Sequence, residues 1–143
     1  METSSASPGP LGLLTRLSRV VYRRATEDVL GMRLKAFVAL THLRHQPGMT
    51  QREFGDAVML DPNNAVLLLN DIEKAGWAER RRDPEDRRRH VVEITPAGLE
   101  ALERADRALD GLEDEVLAPL SAEERETLRD LLARVLGRVS APA

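Results

Sequence analysis

There is no cysteine among the 143 residues of the chain. Disulfides, thiolate metal sites, cysteine nucleophiles and thiol redox sensing are thereby excluded. Aromatic residues are nearly as scarce: one Trp, one Tyr and two Phe. The core therefore has to be aliphatic, mostly Leu, Val and Ala, which is the palette of packed helices rather than of a β-sandwich. No apolar run approaches the ~20 residues that span a bilayer. The opening METSSASPGP has neither the basic nor the apolar segment of a secretory signal, so the expected compartment is the cytoplasm. The chain also lacks a Gly-rich phosphate loop and any suggestive Ser/His/Asp grouping. Its many carboxylates fall on solvated helix faces, where nothing shifts a pKa toward acid–base work. Neither an enzyme nor a cofactor is expected.

What is present is a composition of 42% hydrophobic and 31% charged residues, ordinary for one soluble domain. The net charge of −3 is unevenly spread: residues 1–95 carry +2 and residues 96–143 carry −5. Only two basic residues are lysines, Lys35 and Lys74, and the arginines bunch at Arg80, Arg81, Arg82 and at Arg87, Arg88, Arg89. This is a local electrostatic footprint on a near-neutral body. The plainer alternative is a solvated loop in which these arginines pair with Glu79, Asp83, Glu85 and Asp86.

Residues 1–10 are small and polar and read as a disordered tail. Residues 11–29 form an amphipathic helix carrying Leu14, Leu17, Val20, Val21 and Tyr22, punctuated by Gly31. A more apolar helix over 33–45 ends at Pro47-Gly48. Thr50 with Glu53 has the spacing of a capping box opening a short helix. Asp61-Pro62 opens a helix over 61–75, with Ala65, Leu68, Leu69 and Ile72 on its buried side and Gly76 at its stop. Two strand-like runs, 77–82 and 89–94, flank the turn-forming Asp83-Pro84-Glu85-Asp86. Thr95-Pro96 starts a long helix that Pro119 ends, and Ser121 with Glu124 caps the last helix. The order is α–α–α–α–β–β–α–α, mainly α with a small β-hairpin wing.

A short helix, a turn, a second helix and then a hairpin make a winged helix-turn-helix. The second helix of such a pair fits the major groove, ~12 Å wide. The hairpin tip lies beside it, where a narrow minor groove attracts Arg. The helix over 61–75 turns Asn63, Asn64, Val66, Leu67, Asn70 and Asp71 outward. Asparagine reads adenine through N6 and N7, and Val66 and Leu67 suit thymine methyls, so the expected half-site is A·T-rich. Thr50, Gln51 and Arg52 open the preceding helix, whose free N–H groups favour phosphate. Arg81, Arg82, Arg87 and Arg89 are expected at phosphates or in solvent, and His90 near the base of the wing.

From about Leu11 to Leu136 the chain resembles the MarR-type transcriptional regulators. The most specific stretch is 73–99: Glu73-Lys74-Ala75-Gly76-Trp77-Ala78-Glu79-Arg80, then Asp83-Pro84-Glu85-Asp86-Arg87-Arg88, then Val92-Glu93-Ile94-Thr95-Pro96-Ala97-Gly98-Leu99. The resemblance implies a homodimer whose N- and C-terminal helices interlock, each chain presenting one winged helix to double-stranded DNA. The helices over 11–29, 96–118 and 121–138 agree, being apolar on one face. The implied division is a tail over 1–10, a DNA-binding domain over 33–95, and a dimerisation region from 11–32 and 96–143. In the wing, at 80–90, Arg88 matches the arginine that enters the minor groove and Asp86 the acid that positions it. The helix over 61–75 departs from the family, which places Ser-Thr near 63–64 and Thr-Arg near 66–67; the commonest guanine contact is thereby lost. Many such proteins release DNA on binding a small phenolic or anionic effector, for which Tyr22, Met32, Phe37 and His42 are the candidate lining. For each of the four, core packing is the plainer role. His42 and His45 are three apart on a helix, but no further His or Cys cluster exists and only carboxylates could complete a site, so no metal site is expected. The expected function is a ligand-responsive repressor on a pseudo-palindromic operator. The rival is a protein-interaction or nonspecific DNA-binding module with impaired base readout.

Overall fold

The computed structural model describes residues 7–139. It contains α1 (Pro10–Arg24), α2 (Glu27–Leu30), α3 (Leu34–His45), β1 (Met49–Thr50), α4 (Gln51–Val58), α5 (Pro62–Lys74), β2 (Ala78–Arg82), β3 (His90–Ile94), α6 (Pro96–Val116) and α7 (Ala122–Val139). Of the tail expected over 1–10, the first six residues lie outside the described residues, while Pro10 already occupies the first turn of α1.

The start signals act through side chains. Thr50 accepts from the Glu53 N–H at 3.1 Å while Glu53 Oε1 accepts from the Thr50 N–H at 2.8 Å, a closed capping box. Ser121 and Glu124 repeat it at 3.1 and 2.9 Å. Asp61 and Thr95 accept from the N–H three residues on, each followed by a proline whose missing N–H costs the helix nothing.

The expected continuous helix over 11–29 is broken. Ala25 is 3% exposed and leaves helical geometry, and extended Thr26 starts the separate α2. The chain bends so that Ala25, Leu30 and Met32 all reach the core, a packing gain that overrides local helix propensity. Gly31, at φ 79°, supplies the left-handed residue that closes α2.

The hairpin gains a third strand. β1 pairs antiparallel with β3, Met49 opposite Val92 and Thr50 opposite Val91, and the sheet order is β1-β3-β2. β2 and β3 pair from Ala78 opposite Ile94 to Arg82 opposite His90. One aliphatic core includes Leu40, Leu43, Phe54, Leu69, Ile72, Val92 and Leu102. It crosses residues 32/33 and 95/96 without interruption, since Met32, Ala101, Leu102 and Ala105 belong to it. In contrast α1 and α7 bury no residue. Among the described residues no helix is long and apolar enough to cross a membrane.

Candidate nucleic-acid interface

The helix-turn-helix is closed by Met59, which takes left-handed geometry (φ 56°) after α4 and returns the chain into the Asp61 cap of α5. Ala65, Leu68, Leu69 and Ile72 then face the core. Asn63, Asn64, Leu67, Asn70 and Asp71 are exposed and Val66 is half-buried, the distribution the helical period predicts. Leu67 is 59% exposed, so its side chain is open to contact.

The asparagines differ in what holds them. Asn64 donates from Nδ2 to Asp61 Oδ2 at 2.7 Å. Asn70 accepts at Oδ1 from Arg80 Nη2 at 2.7 Å. Asn63 forms no side-chain hydrogen bond among the described residues. Adenine reading through both amide ends is thus open to Asn63, whereas Asn64 and Asn70 each have one end occupied.

Arg80 is the residue that periodicity does not single out. Its Nε donates to Glu73 Oε1 at 2.9 Å, and its Nη1 reaches Gln51 Oε1 at 3.5 Å. One half-buried guanidinium therefore ties the start of α4, the outer face of α5 and strand β2 together. The available signal was the Glu73…Arg80 spacing across the α5–β2 turn. In the sequence Arg80 looks like one of three adjacent arginines, yet its neighbours behave differently. Arg81 pairs with Glu93 across the hairpin. Arg82 donates to the Arg87 carbonyl at 2.7 Å and closes the wing.

The wing tip is organised by two carboxylates. Asp83 is the one charged residue buried among the described residues. It accepts from the Glu85 N–H at 2.9 Å and from Arg89 Nη2 at 2.9 Å. The Glu85 N–H, then Arg89, hold its carboxyl below the usual carboxylate range against the opposing effect of burial. Asp86 accepts from the Arg88 N–H at 3.1 Å and from Arg88 Nε at 3.3 Å. The Arg88 side chain is nevertheless 92% exposed: its guanidinium touches Asp86 through Nε alone and leaves its Nη groups without an ion-pair partner among the described residues. Arg52 and Arg87 form no ion pair among the described residues and carry uncommitted positive charge. His90 opens β3 at the wing's base, where it lines a groove of about 770 Å³ together with Thr50, Arg52, Pro62, Val66 and Arg89.

The effector candidates separate. Tyr22 lines a smaller cavity of about 170 Å³ with Leu34, Lys35, Val38, Leu60 and Leu68. Met32 does not: at 1% exposed it is core. Phe37 and His42 are half-buried, and neither lines that cavity. Among the described residues no group of three or more His, Asp or Glu is placed to hold a metal ion.

Comparison with known proteins agrees with this architecture. The model of the MarR family matches residues 33–90. The uncharacterized HTH-type transcriptional regulator YdgJ of Bacillus subtilis is 32% identical over 114 residues, covering 80% of this chain and 70% of that protein. The PcaV transcriptional regulator of Streptomyces coelicolor, solved in complex with its natural ligand, superposes with TM-score 0.74 at 27% identity, over 94% of this chain and 96% of that one. The transcriptional repressor CouR bound to a 23-mer DNA duplex superposes with TM-score 0.80 at 25% identity, over 94% and 97%. The relatives are regulators rather than enzymes, and the chain belongs to the MarR family of transcriptional regulators.

Proposed function

We propose that this protein is a cytoplasmic, ligand-responsive repressor that binds a pseudo-palindromic operator as a homodimer. Each protomer places α5 in a major groove and the wing, residues 80–90, in the adjacent minor groove. The observation that carries this reading is the geometry of Arg88: bonded to Asp86 through its N–H and Nε, with a side chain that is 92% exposed. An arginine offered in this way suits a narrow minor groove, where negative potential is concentrated, and A·T-rich sequence narrows that groove. Thr50, Gln51 and Arg52, at the N-terminus of α4, and Arg81, Arg82, Arg87 and Arg89 of the wing, surround α5 as contacts to the backbone. Asn63, Asn64, Val66, Leu67 and Asn70 face the bases.

The dimer rests on the uncovered apolar faces. Leu11, Leu13 and Val20 on α1, and Leu131, Val135, Leu136 and Val139 on α7, are exposed in the single chain. Exposed apolar positions repeated along two helices suit an interface. Residues 11–32 and 96–143 would form it, leaving 33–95 to the DNA. The acidic C-terminal part then faces away from the phosphates.

An effector would enter the cavity beside Tyr22. Its volume is close to the ~150 Å³ that accommodates benzene, and Lys35 supplies a cation at its edge. A small phenolic or anionic molecule fits those walls.

The test is fluorescence anisotropy of the full chain on duplex from its own upstream region, with scrambled competitor, across a salt series. The reading predicts binding that survives the competitor and weakens linearly in log salt. Equal loss to scrambled duplex would replace it with nonspecific binding.

A further inference from the structure

The outward face of α5 carries amides whose orientation is set by partners of opposite chemistry. A guanidinium has only donors, so the Asn70 atom 2.7 Å from Arg80 Nη2 is its carbonyl oxygen. An ionised carboxylate only accepts, so the Asn64 atom 2.7 Å from Asp61 Oδ2 is its amide nitrogen. The Asn64 N–H and side-chain amide hold the Asp61 carboxyl below the usual carboxylate range, which keeps it ionised. Arg80 is itself immobilised by Glu73, through Nε at 2.9 Å. The two amides are thus left with opposite ends unpartnered among the described residues. Asn70 keeps its NH₂ group free to donate, and Asn64 keeps its carbonyl free to accept.

We propose that Arg80 and Asp61 are positioning residues that fix the hydrogen-bonding polarity of α5, so that Asn70 reads base acceptors and Asn64 reads base donors. This rests on the DNA-reading role proposed above. A donor meets guanine N7 or O6, adenine N7 or thymine O4; an acceptor meets the amino group of cytosine or adenine. Six residues of helix separate the two amides by ~9 Å along the axis, roughly two to three base-pair steps. Leu67 lies between them on the same outward face, where its exposed side chain suits a thymine methyl. The bidentate adenine contact available to a free asparagine is replaced at both positions by single bonds of fixed sense. Arg80 also joins the wing strand to α5, so reading by the helix depends on the wing being in register.

The experiment is selection from a randomised duplex library with the full-length protein, followed by sequencing, for the wild type, Asn70→Asp, Asp61→Ser and Arg80→Met. Thermal melting of each variant checks the fold. Asn70→Asp keeps an oxygen facing Arg80 and turns the outward donor into an acceptor. At one position per half-site the enriched base should change by about tenfold toward amino-bearing edges. Asp61→Ser keeps a capping oxygen but removes the second one, and preference should broaden at a different position. Arg80→Met should broaden preference at the same position that Asn70→Asp changes. Uniformly weaker binding with an unchanged base profile in Asn70→Asp and Asp61→Ser would show purely structural bonds and overturn the proposal alone. A wild type that enriches no sequence would overturn it together with the DNA-reading role.

Discussion

Asp83 and Arg89 close the base of the wing tip across six residues, Arg89 Nη2 donating to Asp83 Oδ2 at 2.9 Å while the Asp83 N–H donates to the Arg89 carbonyl at 3.0 Å. The carboxyl is favoured in its ionised form by the Glu85 N–H first and by Arg89 second. Its native pKa lies below the ordinary value of 3.8, so the stabilisation is complete above that value and is lost as pH falls through the native one. Asp83→Asn should therefore destabilise the protein at neutral pH and flatten the acid limb of its stability curve. Urea unfolding of both proteins from neutral pH down to below pH 4 checks this. Equal pH dependence in the two would remove Asp83 as a wing bracket.

A Cβ placed on Gly98 would lie 2.1 Å from the Trp77 carbonyl oxygen. The close approach is fastened by Thr95, whose hydroxyl donates to the Gly76 carbonyl at 2.6 Å and whose N–H donates to the Trp77 carbonyl at 2.9 Å. Because the obstacle is backbone, Gly98→Ala has to move α6 relative to the α5–β2 turn. A loss of about 1–3 kcal/mol is expected, measured by chemical denaturation. An unchanged midpoint would mean that α6 slides freely over the turn.

If α7 forms part of a dimer, introducing charge on its exposed apolar positions should separate the protomers. Leu131→Glu with Val135→Glu is predicted to halve the solution mass to that of one 15.9 kDa chain, by light scattering, and to abolish tight operator binding. A wild type already monomeric at micromolar concentration would contradict the proposed assembly.

The salt slope counts phosphate contacts. Arg52 and Arg87, without ion-pair partners among the described residues, should each contribute ~0.9 to the magnitude of the log–log slope per protomer. Arg52→Ala and Arg87→Ala should lower it by about that amount while leaving base preference unchanged. Arg81→Ala, in contrast, breaks the pair with Glu93 and should change the slope less.

The parts of the fold that were legible in the sequence are those written in local chemistry. Thr50 with Glu53, Asp61-Pro62, Thr95-Pro96 and Ser121 with Glu124 each announce a helix start, because capping needs only residues within one turn. The buried stripe of α5 follows from the period of the helix alone. The break at Ala25 was not legible, since its cause is a core assembled from distant residues. Nor was β1, two residues whose strand character comes from pairing with Val91 and Val92 about forty positions away. In the wing, the Asp86–Arg88 bond joins residues two positions apart, so its partners can be read from the sequence alone. Arg80 was hidden in a run of like charges, because only the folded hairpin decides which of three arginines turns toward Glu73.

A hydroxyl-radical footprint of the wild type and Arg88→Ala on a selected duplex reads the wing's place on DNA. The wild type should give minor-groove protections placed symmetrically about the operator centre, flanking half-sites about one helical turn (~34–36 Å) apart. In Arg88→Ala the outer protections should vanish while the major-groove contacts of α5 persist. Outer protections that survive Arg88→Ala, or a footprint without two-fold symmetry, would contradict it.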